Sequence, residues 1–141
     1  MPSYDPNNVF AKILRGEFPA YKVYEDDRVL AFLDIMPQAP GHTLVVPKSA
    51  ARNILDADPD ELAYLIKVAQ RIAKTAKSLF AADGVNIFQF NEPAAGQTVF
   101  HLHFHVIPRK EGVPLKPPAS IKEDAEVLNE HQARLAAALK A

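Results

Sequence analysis

Apolar positions along the chain change period several times, and each change marks an element. Val9, Phe10, Ile13 and Leu14 recur at helical spacing. Asn7 or Asn8 can cap this short helix, and Gly16 offers the left-handed stop it needs. Two β-prone stretches follow, Tyr21–Glu25 and Val29–Ile35, and the charged pair Asp26-Asp27 before Arg28 suits a hairpin turn between them. Pro37 and Ala39-Pro40-Gly41 force a loop. His42–Val46 then reads as a third strand, ended by Pro47.

The pattern predicts a long central helix next. Asp58 serves as its N-cap, Pro59 fits the first helical position and Glu61 lies three residues after the cap. Leu62, Leu65, Ile66, Ala69, Ile72, Ala73, Ala76 and Leu79 recur at three- and four-residue steps and make one apolar face, with Gly84 as the expected stop. Val85–Phe90 and Val99–Ile107 read as two further strands, joined by a loop from Asn91 to Gln97. Prolines 108, 114, 117 and 118 make an irregular connector. Ser120 and Glu123 form a second capping-box pattern ahead of a narrow stripe, Ile121, Ala125, Leu128, Leu135 and Leu139, interrupted by Gln132. A helical tail with such a stripe must pack on this domain or on a second copy. The order helix, strands, helix, strands, helix predicts an α+β fold: a five-stranded antiparallel sheet, a short N-terminal helix, a long central helix and a C-terminal helical tail.

Composition narrows the class. The 141 residues suit one domain, and 16 Lys+Arg against 17 Asp+Glu give a formal net charge of -1. Such balance argues against a generic nucleic-acid binder. Hydrophobic residues at 48% and charged residues at 23% are ordinary for a folded globule. No apolar run reaches the ~18 residues that suggest a membrane span, and Met1–Asn8 is polar, without a secretory pattern. The chain has no cysteine, which excludes disulfides, thiol catalysis and thiolate zinc sites. A cytoplasmic setting is the expectation.

Three of the five histidines occupy alternate positions in His101-Leu102-His103-Phe104-His105-Val106-Ile107. In a strand, alternation puts the three imidazoles on one face and sends Leu102, Phe104 and Val106 into the core. One such histidine is an ordinary partly buried residue. Three in register each need polar partners that core packing does not call for, so the row reads as a functional site.

Imidazole is a common metal ligand. The outer two histidines, however, lie ~13 Å apart along a strand, and zinc–nitrogen bonds of ~2 Å do not let all three share one ion. Two of them with His42 would still make a site. The alternative is nucleophilic catalysis on phosphorus: neutral imidazole attacks a phosphate ester and the displacement is split into two easier steps. The middle histidine attacks while a neighbour protonates the leaving group. Gly96-Gln97-Thr98 just upstream brings an approachable backbone, an amide and a hydroxyl to the non-bridging oxygens.

A third patch suits a nucleoside. Leu30, Phe32 and Asp34 share one strand face, and Ala31, Leu33 and Ile35 take the other. An aromatic ring beside a carboxylate would pack on a base and accept from ribose hydroxyls. Phe32 as plain core and Asp34 as a cap for the proline-rich turn describe the pair equally well. Asn91 fits a phosphate contact or a loop start, and His131 reads as a solvated residue of the tail.

The row resembles the His-φ-His-φ-His-φ-φ signature of the histidine triad superfamily, where φ is apolar. Phe10-Ala11-Lys12-Ile13-Leu14, Gly16-Glu17-Phe18-Pro19-Ala20, Tyr24-Glu25-Asp26-Asp27, Ala31-Phe32-Leu33-Asp34-Ile35 and Pro40-Gly41-His42-Thr43-Leu44-Val45-Val46-Pro47-Lys48 extend the resemblance to its nucleotide-binding branch over roughly residues 7 to 110. The resemblance implies a homodimer whose two sheets join, and hydrolysis or transfer of nucleoside monophosphate groups without a metal or other cofactor. By position, His103 matches the nucleophile that becomes nucleotidylated, His105 the histidine beside the phosphate and leaving group, and His101 and His42 its supports. Asp34 matches the ribose-binding acid. Phe10, Ile13, Phe32 and Ile35, with Val9 beside them, match the base-pocket wall, and Asn91, Gln97 and Thr98 the phosphate-side contacts.

The implied domain is residues 1–110. Residues 111–141 are then a proline-rich connector and helix of the same domain or of the dimer. The expected activity is cleavage of a purine nucleoside 5′-phosphoramidate, releasing AMP and an amine. Gly96-Gln97-Thr98-Val99 and Val106-Ile107-Pro108-Arg109-Lys110 also resemble the fragile histidine triad branch, which makes dinucleoside polyphosphate hydrolysis one rival. A nucleotide-binding scaffold with little turnover is the other. From Glu111 onward the chain lacks the tryptophan-containing ending common in the nucleotide-binding branch, so the leaving group stays open.

Overall fold

A computed structural model describes residues 2–140; Met1 and Ala141, the outer limits of the two segments expected from sequence, lie outside them. The fold is α+β. In chain order the elements are α1 (Val9–Leu14), β1 (Lys22–Glu25), β2 (Val29–Leu33), β3 (Thr43–Pro47), α2 (Pro59–Leu79), β4 (Gly84–Phe88), a 3-10 turn (Pro93–Ala95), β5 (Phe104–Arg109) and α3 (Ala125–Leu139). The strands form one sheet in the order β1-β2-β3-β5-β4, every neighbouring pair antiparallel.

Alternation along β2 divides the apolar residues between two layers. Val29, Ala31 and Leu33 enter the main core, with Val45, Phe104 and Val106 from the sheet, Leu102 just before β5, and Leu65, Ile72, Leu128 and Leu135 from α2 and α3. Leu30 and Phe32 point the other way and pack with Phe10, Ile13, Leu44 and Val46. The second layer is small because the helix on that face, α1, has six residues. That sparse cover leaves room for a cleft.

Local chemistry sets the helix ends. Asn8 caps α1, its side chain accepting from Ala11 N at 2.9 Å, and Gly16 follows with φ +79°. Asp58 accepts from Asp60 N and Glu61 N at the start of α2, and Pro59 stands at its first position. Gly84 does not stop α2. The left-handed residue is Ala81 (φ 49°), Ala82 N closes back on Lys77 O at 2.9 Å, and Gly84 opens β4.

Two boundaries in the second half differ from expectation. β5 begins at Phe104 rather than Val99. Val45 pairs with Phe104, and the ladder stops there because Pro47 has no N–H to continue it. The strand also runs on through Pro108 to Arg109, where β4 alone pairs with it. The capping box at Ser120 and Glu123 does not form. Lys116 N and Glu123 N donate to the carbonyls of Gln38 and Ile35 at 2.9 and 2.8 Å, which keeps the connector extended until Asp124 starts α3. Ile121 consequently stands exposed. Gln132 interrupts the stripe because its amide donates to Lys22 O, on edge strand β1, at 3.0 Å. His131 is half-buried, edge-on to Phe80 with ring centroids 4.9 Å apart, and is not a solvated tail residue.

Candidate active site

The cleft lies between α1, the loop after β2, the start of β5 and the connector, and has a volume of about 400 Å³, within the usual range for small-molecule sites. Its wall is mostly apolar: Val9, Phe10, Ile13, Phe32, Leu44 and Val99, with Ile35 at the rim. Phe10 stands edge-on to both Phe32 and His103, at centroid distances of 5.4 and 4.9 Å. The polar groups that reach the cleft are Asp34, Gln38, Thr98, His103 and His105.

Of the four expected histidines, two face the cleft and two stand behind them. The alternation persists on the core side, where Leu102, Phe104 and Val106 are buried. On the other side only His105 lies within β5; His101 and His103 precede the strand. His101 is buried away from the cleft. Its Nε2 lies 2.7 Å from Pro47 O and its Nδ1 2.7 Å from the Tyr4 hydroxyl.

Main-chain partners decide where each ring proton sits. A carbonyl only accepts, so His101 Nε2 carries a proton for Pro47 O, and His103 Nδ1 carries one for His101 O at 2.7 Å. An amide N–H only donates, so His42 Nδ1, 3.0 Å from Gln38 N, is bare and its Nε2 is protonated. That Nε2–H donates to His105 Nδ1 at 2.9 Å, which puts the remaining proton of His105 on Nε2. Among the described residues no buried side-chain N or O lacks a partner. In these four rings the two nitrogens without one, His103 Nε2 and His105 Nε2, are therefore open to the cleft. The first is a bare lone pair and the second an N–H. The two rings lie 5.0 Å apart.

Electrostatics keeps these rings neutral. Burial, reinforced by the neighbouring imidazoles, holds His42 at about 3. Burial likewise holds His105 at about 4, and His101 at about 4 against the opposing pull of Pro47 O. Burial also lowers His103, partly offset by its bond to His101 O. Asp34 moves the other way: burial raises its carboxyl, and the bond from Met36 N opposes the rise.

Asp34, His42 and His105 bring one ligand atom each within 4.8 Å of one another. This is the metal arrangement the sequence leaves open, with Asp34 in place of a second triad histidine. Hydrogen bonding already uses those atoms: His42 Nδ1 accepts from Gln38 N, His42 Nε2 carries a proton, and that Nε2–H occupies the His105 Nδ1 lone pair. An ion there would have to break the Gln38 bond.

Two expected phosphate contacts are engaged elsewhere. Gln97 Oε1 accepts from Asn53 Nδ2 and Glu92 N at 3.0 and 2.8 Å, and its Nε2 donates to Arg52 O and Val99 O at 2.7 and 3.0 Å. All four of its hydrogen-bonding positions are filled. Asn91 accepts from Ile54 N at 2.8 Å and exchanges bonds with Gln89. Both residues brace the loop that carries Thr98, and Arg52 completes the brace by chelating Glu92 at 2.8 and 3.1 Å. The brace holds Glu92 at φ 75°, a conformation that costs free energy in a non-glycine residue.

Several cleft residues were not anticipated. Leu44 was readable from its strand face, opposite Phe32 in the ladder. Pro118 and Ala119 were not: only the tethering of the connector to Gln38 and Ile35 brings them to the cleft. Tyr4, which meets His101 behind the cleft, gives no periodic signal in the sequence either.

A model of the HIT domain family matches residues 15–112. The chain belongs to the HIT family. Over 97% of its length it superposes on a HIT-like protein from Bartonella henselae, covering 99% of that chain, with a TM-score of 0.92 and 55% identity. It is similar to a hypothetical histidine triad nucleotide-binding protein from Sulfolobus tokodaii, 34% identical with a TM-score of 0.84, over 93% of this chain and 91% of the other. Adenylylsulfatase HINT3 of Arabidopsis thaliana is 34% identical over 132 residues, 94% of this chain and 67% of its own. The HIT domain match ends at residue 112, so the connector that closes the cleft at Pro118 and Ala119 lies beyond it.

Proposed function

We propose that the protein is a nucleotide hydrolase that cleaves a purine nucleoside 5′-phosphoramidate through a covalent intermediate on His103. The observation that carries this reading is the hydrogen-bond pattern behind the cleft, which assigns a bare Nε2 to His103 beside an Nε2–H on His105. In the first step His103 Nε2 forms a bond to phosphorus while the P–N bond breaks. The leaving amine takes its proton from His105 Nε2, which leaves that ring bare at Nε2 with a negative charge offset by the His42 Nε2–H bonded to its Nδ1 and by the adjoining His103 cation. His103 becomes cationic, and the His101 carbonyl, already bonded to its Nδ1–H, stabilises that charge. In the second step His105 Nε2 takes a proton from water, the water oxygen bonds to phosphorus and the P–Nε2 bond breaks, releasing AMP.

The nucleoside fits the remaining surface. The base lies against Phe10, Ile13 and Phe32, with Val9 and Ile35 at the edge, and the ribose hydroxyls meet Asp34. Thr98 is the phosphate-side group that reaches the cleft, with Asn91 and Gln97 acting through the loop they brace. An apolar slot reads ring size rather than edge pattern, which supports a purine without choosing between adenine and guanine. The reaction needs no metal or other cofactor.

His103→Ala tests the assignment: its turnover of adenosine 5′-phosphoramidate should be abolished, and near-parental turnover would refute it. A second reading, with the same intermediate and a different leaving group, is supported by the likeness to adenylylsulfatase HINT3. Specificity constants for the phosphoramidate, adenylyl sulfate and diadenosine triphosphate decide among leaving groups. AMP binding with no turnover of any of them would favour a scaffold.

A further inference from the structure

We propose that Tyr4 is a positioning residue for the histidine row: its hydroxyl locks the His101 ring and so holds the His101 carbonyl that places the proton on His103. The proposal rests on reading His103 as the nucleophile. Tyr4 lies 97 residues from His101 in sequence and outside the region the family model matches. Its hydroxyl nevertheless sits 2.7 Å from His101 Nδ1, and the two rings stand edge-to-face, 5.6 Å apart.

The direction of this bond follows from its neighbours. His101 Nε2 is protonated because Pro47 O accepts from it, so in the neutral ring Nδ1 is bare and the phenol donates. The phenolic oxygen in turn accepts from Asn8 Nδ2 at 3.1 Å, and Asn8 Oδ1 accepts from Ala11 N in the first turn of α1. A continuous set of hydrogen bonds thus links the start of α1 to the His101 ring. Anchored at both nitrogens, that ring has no freedom to turn, and its own main-chain carbonyl, 2.7 Å from His103 Nδ1, stays in place. Without the Tyr4 hydroxyl, His101 Nδ1 would be a buried acceptor with no donor. The ring would then take a proton there or rotate to find a partner. Either response disturbs the group that keeps His103 Nε2 bare.

Tyr4→Phe removes one oxygen and keeps the ring, so the fold is retained. The test combines ring 15N spectra of His101 and His103 with steady-state kinetics on adenosine 5′-phosphoramidate. The expected result is a fall in kcat of about tenfold, the loss of one net hydrogen bond, with KM nearly unchanged. The His101 and His103 resonances should shift together from their single-tautomer pattern. Unchanged kcat or unchanged spectra would overturn the proposal, as would a lowered melting temperature with both of these intact. A parental protein that turns over no phosphoramidate overturns the proposed function instead. The spectra still decide the role of Tyr4 in that case, a coupled shift sustaining it and unaltered rings refuting it.

Discussion

His42 Nε2 lies 2.9 Å from His105 Nδ1, and the main-chain N–H of Gln38 settles which of the two owns the proton between them. Because that N–H donates to His42 Nδ1, His42 must donate to His105, and His105 must present Nε2–H to the cleft. A buried residue that does not line the cleft thereby selects the tautomer of one that does.

His42→Ala removes this selection. We expect kcat for the phosphoramidate to fall about tenfold or more, since the proton donor is no longer oriented, while KM changes little. The His105 ring 15N spectrum should show mixed tautomers. Parental kcat in the variant would show that the pairing has no part in turnover.

Gln97→Ala separates a loop brace from a phosphate contact. The substitution leaves Asn53 Nδ2, Glu92 N–H and two carbonyls short of a partner, a loss of about 1–3 kcal/mol where such groups are buried. Chemical denaturation should show this loss, with AMP affinity reduced only modestly. Parental stability combined with a large loss of AMP affinity would instead make the amide a direct ligand.

Stability should decline on acidification. In the unfolded chain histidines titrate near the ordinary value of 6.5, whereas the folded values are about 4 for His101 and His105 and about 3 for His42. Between these values the unfolded state binds more protons, so the contribution is complete above 6.5 and is lost as pH falls toward 4. Asp34, raised by burial, acts in the opposite sense within the carboxylate range. Urea midpoints should be level from neutral to mildly alkaline pH and drop through the acid window. A level or rising midpoint there contradicts the depressed values.

β4 is a sheet edge in the described chain and leaves Ile87 exposed, as the dimer implied by the histidine triad resemblance would need for two sheets to join. Sedimentation should give the mass of two chains for the parental protein and of one for Ile87→Asp. A dimer that survives the substitution lies elsewhere on the surface.

What the sequence determined by itself is what depends on near neighbours. Asn8 and Asp58 cap their helices because the amides they accept from lie three or fewer residues away. Alternation placed Leu102, Phe104 and Val106 in the core, and placed Leu30 and Phe32 together on the opposite layer, because side-chain direction in extended backbone is local. The tertiary structure decided everything that needs a distant partner. Pro47 O and Gln38 N come from separate segments, and they determine which ring nitrogens of His101, His42 and His105 are protonated. The Asn91 and Gln97 side chains brace their loop because Ile54 N, Asn53 and Arg52 O fold onto them. Three histidines in a row announce imidazole chemistry, but a tautomer is a property of what each nitrogen meets, and that is known only once the chain has closed on itself.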